Sequence, residues 1–278
     1  MNEGDNNSIF FQTYASAKRR LNNIVKIKDE DGNVVERQDQ IEGVLLKFFE
    51  QKWRQRESSL EGWPNPNSIV NGDDKIWLSR AFMEEEVEAV IKDLGSNIAQ
   101  GCDGITYSFL RTYWEIIKKD FLNAILYFLQ HGDMEKSWKD TLIELIPNIS
   151  NPMSPSNYRP ISLCNSIYKV AAKVILNRLS FITPKVISKE QAAFIQGRSI
   201  SDHILIAQEV FHKFKFLKSS KGLVAYKIDM EQAYDSISWD TLEGVLKYYE
   251  FPPLFSKVIL ECVLMPRFSI IINGSNSD

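Results

Sequence analysis

The sequence has few of the residues that build disulfide frameworks and zinc sites. It contains three cysteines, Cys102, Cys164 and Cys262, which lie far apart and form no Cys-x-x-Cys pair. The three histidines are scattered as well. We therefore expect reduced thiols and no zinc centre, as is typical of a protein of the cytoplasm or the nucleus.

Long uncharged apolar runs are also absent, and the N-terminus has no apolar stretch of the signal-peptide type. From the sequence we therefore expect neither a membrane-spanning helix nor a secretory leader. The composition, 44% hydrophobic and 25% charged, is that of an ordinary globular protein. Its 278 residues are enough for one large domain or two smaller ones.

Net charge is low overall but unevenly distributed. The whole chain carries a formal charge of −3, whereas residues 157–227 contain twelve Lys or Arg and three acids, a local excess of +9. Such asymmetry indicates a polyanionic partner for the middle of the chain. Solvated helix faces explain the same pattern equally well.

Hydrophobic periodicity predicts a mixture of helices and strands. Strict alternation of strand and helix is missing, which favours an α+β fold over a parallel α/β fold. Residues 56–75 are rich in Pro, Gly, Asn and Ser and read as a linker or long loop. The predicted helices cover 40–53, 82–97, 108–130, 166–181, 201–217 and 238–251. The predicted extended segments cover 141–148, 159–163, 222–229 and 267–275.

One stretch, LVAYKIDMEQAYDSISWDTL at 223–242, has the form of a metal-binding corner. An apolar run ends at Asp229, and Tyr234 and Asp235 follow after a short turn. A carboxylate at the end of a rigid strand can hold one or two Mg²⁺ ions for phosphoryl transfer. A strand running into an acidic turn is also a common structural feature. We interpret Asp235 as a helix cap or a partner in a local salt bridge.

Several ordered motifs resemble the reverse transcriptases of non-LTR (LINE-type) retrotransposons. YKIDMEQAYDSISW resembles the first catalytic motif of that family. Upstream, in the family's order, come a partial GCDGITYSFLRTYW, then LIPNISNPMSPSNYRPISLCNSIYKVAAKVILNRL and QAAFIQGRSISDHILIAQEV. LMPRFSIIINGS resembles the strand that leads to the next motif, and EGDNNSIFFQTYASAKRRLNNI resembles a connecting segment of plant elements. Group II intron maturases and telomerases are alternatives at the level of fold, but the amino-acid sequences of these motifs resemble the LINE class more closely.

The resemblance implies roles around the acidic corner. Asp229 matches the first metal-binding aspartate, with the Met230 carbonyl as a second ligand of the same ion. Tyr234 matches the steric gate that disfavours a ribose 2′-OH, and the Gln232–Ala233–Tyr234 backbone would lie beneath the nucleotide triphosphate. The implied cofactors are Mg²⁺ or Mn²⁺, two ions in the complete enzyme. The implied partners are an RNA template, a DNA primer and dNTPs. No membrane is expected as a partner, and the sequence does not allow a stable protein partner to be predicted.

The resemblance also implies roles for basic residues outside this corner. Arg159 matches the arginine that pairs with the incoming triphosphate, a task suited to a planar bidentate donor. Arg198 is expected to support the template or the metal-binding strand, with a surface ion pair as the alternative. Lys169, Lys173 and Arg178 share a helix face that would touch template phosphates, and a solvated face is the alternative.

The implied architecture is an incomplete right-hand polymerase of α+β class. Residues 1–75 would form a helical N-terminal extension and linker, and residues 76–278 the fingers and the first part of the palm. The sequence departs from the family at Cys102, where a proline is usual, at Asn148 in place of lysine and at His203 in place of asparagine. We expect localisation to the cytoplasm and the nucleus.

The paired aspartates of the family's later hairpin are not found. The one Asp-Asp pair, Asp73–Asp74, precedes the predicted palm strand and lies in a segment that reads as a polar loop. Because two-metal transfer needs carboxylates from both palm strands, this chain alone is expected to be inactive and poorly soluble. The alternatives are a nucleic-acid-binding remnant without catalysis and a host interaction protein derived from such an element.

Overall fold

The computed structural model describes residues 12–13, 22–95, 99–216, 224–226, 228, 233 and 237–277. The strands are β1 (Ile27–Lys28), β2 (Val34–Val35), β3 (Asp140–Pro147), β4 (Tyr158–Cys164), β5 (Arg267–Ile272) and β6 (Ser275–Asn276). The helices are α1 (Gln38–Lys52), α2 (Gly72–Ser79), α3 (Glu84–Asp93), α4 (Tyr107–Thr112), α5 (Trp114–His131), α6 (Ser166–Ser180), α7 (Thr183–Val186), α8 (Ile200–Phe216), α9 (Trp239–Tyr248) and α10 (Pro253–Val263). Short 3₁₀ turns at Lys136–Lys139 and Pro155–Asn157 precede β3 and β4.

A four-stranded mixed sheet lies at the centre, in the order β4–β3–β5–β6. β3 and β4 form an antiparallel hairpin in which Thr141 faces Cys164 and Pro147 faces Tyr158. β5 runs parallel to β3, and β6 returns antiparallel to β5. Positive φ at Asn273 and Gly274 closes that second hairpin, because an Asn-Gly turn of this kind suits the twist of the strands.

One face of the sheet is covered by the N-terminal segment. Ile143 and Leu145 of β3 alternate inward along the strand and meet the apolar side of α1. The segment from β1 to α1 and the sheet therefore share one hydrophobic core. Its buried members are Ile24, Ile27, Ile41, Leu45, Phe49, Ile143, Leu145, Tyr158, Ile270 and Ile272.

A second, larger core lies among the helices. Helices α3, α5, α6 and α10 contribute buried side chains such as Val87, Ile125, Val174 and Val258. Helix α3 illustrates how the sequence favours this packing. Three glutamates in its first turn suit the positive end of the helix dipole, and the apolar residues of its inner side are buried in the core. Among the described residues no helix is long and apolar enough to cross a bilayer.

The α+β class and most predicted elements are confirmed. Helices α1, α6 and α8 match the predicted bounds within two residues, and Ser238 caps α9 by accepting a bond from the Thr241 N–H at 3.1 Å. Strands β3, β4 and β5 lie in segments that were predicted to be extended. The stretch 222–229 was predicted as a strand. Its described residues, 224–226 and 228, lie in no strand, and the rest falls outside the described residues.

Three element predictions were wrong. The helix predicted at 108–130 is divided at Tyr113 into α4 and α5, which a sequence without Pro or Gly there does not reveal. The predicted loop at 56–75 ends early, because Asn71 caps α2 through its side chain. Asp73–Asp74 therefore occupies the first turn of a helix. Helix α10 was missed, although Pro253 at its first turn is a typical helix-start signal.

Candidate functional site

Most of the predicted metal and nucleotide corner lies outside the described residues. Asp229, Met230, Gln232 and Tyr234 all belong to that undescribed part, and Ala233 is described as a single exposed residue. Within the described ranges, no group of three or more His, Cys, Asp or Glu residues could hold a metal ion. The roles of this corner therefore stay predictions.

Arg159 lies in β4, on the face of the sheet opposite α1. It is directly across from Ile146, and its side chain is exposed. It forms no ion pair with any described carboxylate. The register places further residues on the same face, which none of the described buried clusters includes. They are Leu142, Glu144, Ile146, Ile161, Leu163, Ser269 and Ile271.

This open face combines apolar side chains with a few charges. Ile161 is 45% exposed, two residues along the strand from Arg159. Burial raises the pKa of the Glu144 carboxyl above its usual range. At one end of the sheet, Arg267 donates to both carboxylate oxygens of Asp140, at 2.5 and 2.8 Å. The arrangement leaves Arg159 free to meet a planar anion.

The loop at 99–104 is attached to the corner between β4 and α6. Asp103 accepts the Ser166 N–H at 2.7 Å and so caps the N-terminus of α6. Asn165 accepts the Asp103 N–H at 3.1 Å and donates to the Ser137 carbonyl at 2.8 Å. Cys102, where the family usually has proline, donates its thiol to the same Asn165 oxygen at 3.1 Å. Sequence reasoning missed the part played by Asp103 and Asn165, and the Gly-Cys-Asp-Gly turn was the available signal.

The three basic residues predicted on α6 differ in their surroundings. Lys169 is half-buried and donates to the Ala99 carbonyl at 2.6 Å, above the ring of Tyr107. Lys173 is exposed, and its prediction as a template contact stays open. Lys169 thus holds the 99–104 loop in place, whereas Lys173 presents its charge to solvent.

Arg178 corrects the prediction of a shared basic face, because its residue is only 4% exposed. Its guanidinium donates to both Glu86 oxygens, at 2.8 and 2.7 Å, and to the carbonyls of Arg80 and Ala81. The ring of Phe82 lies 3.6 Å below it. A side chain used in this way inside the protein reaches neither template phosphates nor solvent.

Glu86 is held ionised by this arrangement. Burial by itself would raise the pKa of its carboxyl, but the hydrogen bonds from Arg178 and the Met83 N–H, together with the Arg178 charge, outweigh that effect. The net result is a lowered pKa. The pair is an internal structural link between α3 and α6.

Arg198 also acts within the protein, where a surface ion pair was the alternative considered. Its guanidinium donates to four backbone carbonyls, those of Ser188, Gln191, Pro184 and Ile187, at 2.5–3.0 Å. It therefore fixes the loop between α7 and α8. A role in supporting the template through this loop stays a prediction.

The Asp73–Asp74 pair also has a structural role. Asp74 is 5% exposed and forms an ion pair with Lys185 at 2.5 Å. It thereby ties α2 to α7. Nothing in this geometry resembles a metal site.

With this geometry in place, comparison with known proteins identifies the class. Residues 146–277, which run from the end of β3 through β6, match the family model described as reverse transcriptase (RNA-dependent DNA polymerase). This segment belongs to the reverse transcriptase family.

The relatives are proteins of transposable elements. The chain is 25% identical over 258 residues, 90% of its length, to the transposon TX1 uncharacterized 149 kDa protein of Xenopus laevis. It is 28% identical over 198 residues, 69% of its length, to a probable RNA-directed DNA polymerase from transposon BS of Drosophila melanogaster. Over 160 residues, 56% of its length, it is 25% identical to the Pol polyprotein from the type-1 retrotransposable element R1 of Bradysia coprophila.

The chain covers between 15% and 21% of the length of these relatives. The family match and these relatives support the predicted resemblance to part of a LINE-type reverse transcriptase. The resemblance to plant elements in particular stays a prediction.

Proposed function

We propose that the chain forms the fingers and the first part of the palm of a right-hand polymerase that copies RNA into DNA. The family match over 146–277 supports this, because it includes β4, α6, α8 and the β5–β6 hairpin. The partners are an RNA template, a DNA primer and dNTPs. The transfer itself belongs to the complete enzyme.

Asp229 and the Met230 carbonyl hold magnesium or manganese in this proposal. Carboxylate and carbonyl oxygens are the donors that Mg²⁺ prefers. Bound metal supplies charge neutralisation at the transferred phosphoryl group. Tyr234 sits over the sugar and excludes a ribose 2′-OH, while the backbone of Gln232–Tyr234 supports the triphosphate.

The observation that carries the proposal is the position of Arg159. Its guanidinium is exposed on an open sheet face and has no carboxylate partner among the described residues. A planar fork of donors without an internal partner suits bidentate binding of a phosphate. Arg178 and Arg198, by contrast, have their donors occupied inside the protein.

Nucleotide binding by the chain tests this proposal without requiring turnover. A fluorescent RNA–DNA primer-template is titrated with protein in Mg²⁺, with and without the next complementary dNTP. The dNTP is expected to tighten the complex, and Arg159→Gln to weaken that dNTP dependence about tenfold, which corresponds to one charge-assisted contact of about 1.4 kcal/mol. Arg37→Gln, an exposed arginine of the N-terminal segment that pairs with Asp39, is the matched control. An unchanged dNTP dependence in Arg159→Gln would contradict the assignment.

A primer-extension assay with the same samples separates the alternatives. The chain alone is expected not to extend the primer in Mg²⁺ or Mn²⁺. Template-dependent incorporation that Asp229→Ala abolishes would overturn that expectation. RNA binding that responds to salt but to neither Arg159→Gln nor the dNTP would favour the non-catalytic binding remnant.

A further inference from the structure

A cleft of about 990 Å³ lies between the N-terminal segment and the sheet, on the side away from Arg159. The end of α1 and residues 54–56 form one wall, and the first turn of α9 forms the other. β5 and the 264–266 loop contribute to the floor. The volume is at the upper end of the range, about 300–1,000 Å³, that is typical of ligand sites in proteins.

The two walls are fixed to each other. The Ser58 hydroxyl hydrogen-bonds with those of Ser238 and Thr241, at 2.5 and 2.7 Å. Leu60 packs so closely over Gly244 that a Cβ on that glycine would lie 2.8 Å from its methyl group. These contacts hold the segment after α1 against α9, and they therefore fix the width of the cleft.

Aromatic rings form a ladder along the floor. The Trp53 ring centroid lies 4.8 Å from that of Phe49 and 5.0 Å from that of Phe268. Phe49 is buried, whereas Phe268, at the other end of the ladder, is 42% exposed. The rings are tilted against one another, by 31° between Phe49 and Trp53 and by 50° between Trp53 and Phe268. The exposed ring at the end of this series offers a π-face to a further flat group, such as a nucleobase.

Cations lie beside this ladder. Arg54 and Arg56 are exposed and form no ion pair with any described carboxylate, and Arg56 donates to the Lys52 carbonyl. The acids of the opposite wall are Asp240 and Glu243, and Glu243 is paired with Lys247 at 2.5 Å. Positive charge thus predominates on the wall made by residues 52–56, although Glu50 also lines it.

We propose that this cleft binds a short single-stranded segment of nucleic acid. A base stacks on the exposed face of Phe268, and the neighbouring phosphates contact Arg54 and Arg56. A duplex keeps its bases paired and stacked inside, so it cannot bring a base to the aromatic floor. Ile237 and Ser238 of the cleft come three and four residues after Tyr234, which makes the cleft continuous in sequence with the proposed nucleotide site. The choice of nucleic acid as occupant rests on the proposed function.

Fluorescence anisotropy with a labelled, unstructured RNA oligonucleotide tests the proposal, in EDTA and without nucleotides. Arg54→Gln/Arg56→Gln is expected to bind about tenfold more weakly. Loss of two phosphate contacts on a single strand should also make the slope of log affinity against log salt shallower by roughly 1.4. Lys26→Gln/Lys28→Gln removes the same charge from exposed positions outside the cleft and should leave affinity nearly unchanged.

Phe268→Ala tests the stacking contact, because it removes the aromatic ring without changing the charge of the cleft. It should weaken single-strand binding about fivefold or more while leaving the salt slope unchanged, because a stacking contact releases no counterions. Affinity for a duplex of the same length should be the same in parent and both cleft variants.

Three results would overturn the proposal. One is equal affinity of the Arg54/Arg56 and Lys26/Lys28 variants, and another is an equal loss of duplex binding. The third is self-association of the chain that Phe268→Ala abolishes, since a second copy would then cover the cleft. If Lys173→Gln weakens primer-template binding while the cleft variants have no effect, the proposed function stands and this inference fails.

Discussion

At the scale of single residues, the basic side chains of residues 157–227 differ in their surroundings: some form bonds inside the protein and others face solvent. Arg178 lies beneath α3 and makes bonds to Glu86 and two carbonyls, whereas Lys173, on the same helix, faces solvent. A count of charges along the chain cannot separate the two. The difference becomes visible only when the helix packs.

Replacing Arg178 by alanine should therefore be far more costly than replacing Lys173. Arg178→Ala leaves a partly buried carboxylate and two carbonyls without their partner, and we expect a loss of about 3 kcal/mol or more in the free energy of unfolding. Lys173→Ala should change it by less than about 0.5 kcal/mol. Urea denaturation followed by circular dichroism measures both. Equal effects would show that the internal contacts of Arg178 contribute nothing.

Glu144 allows a prediction about pH. Burial raises the pKa of its carboxyl in the folded state above the value in the unfolded state. Its contribution to stability is therefore full below the unfolded pKa and is lost as pH rises through the folded pKa. Glu144→Gln should stabilise the protein at about pH 7, and the gain should shrink at about pH 4. Thermal midpoints at both pH values measure this, with Glu57→Gln, in an exposed segment, as the control. A gain that does not change with pH would argue against burial as its cause.

At the scale of elements, the 99–104 loop can approach the end of β4 closely because Gly101 has no side chain. A Cβ at that position would lie 2.5 Å from the backbone carbon and oxygen of Cys164, where nothing flexible can yield. The loop thereby brings Asp103 to the N-terminus of α6. The helix and the loop hold each other in place.

Gly101→Ala should consequently destabilise the protein by about 1–3 kcal/mol, the usual cost of overpacking. Gly43→Ala is the matched control, since that glycine lies within α1 and a Cβ there would meet no atom within 4 Å. It should stabilise by about 0.5–1 kcal/mol because alanine is the better helix former. Chemical denaturation of the two variants side by side measures the contrast, and a neutral Gly101→Ala would show that the loop can move away from β4.

Elements with a strong local signal were predictable, and those fixed by packing were not. The period of apolar residues identified α1, α6 and α8, and β3, β4 and β5 lie in segments predicted to be extended. The division between α4 and α5 at Tyr113 has no local signal. For the site, the motifs marked Arg159, but the internal bonds of Arg178 and Arg198 depend on carbonyls supplied by other elements. Sequence alone does not locate such partners.

At the scale of the whole molecule, the N-terminal segment and the reverse transcriptase segment share a core. Sequence reasoning drew a boundary at residue 75, yet Ile41, Leu45 and Phe49 of α1 pack on Ile143 and Ile270 of the sheet. Without α1 those strands would expose an apolar face and become prone to aggregation. The proposed cleft also depends on this contact, because α1 and the segment after it supply one wall.

Leu45→Ala tests whether this shared core is a single cooperative unit. Leu45 is fully buried, so its truncation should cost about 2–5 kcal/mol and should lower the hydrogen-exchange protection of β3 and β5 as well as that of α1. Glu42→Ala, on the less buried side of the same helix, should leave both unchanged. The fragment 76–278 should bind a hydrophobic dye and lack a cooperative melt. A fragment that melts cooperatively at the temperature of the full chain would support the predicted boundary at residue 75 and make α1 a separate extension.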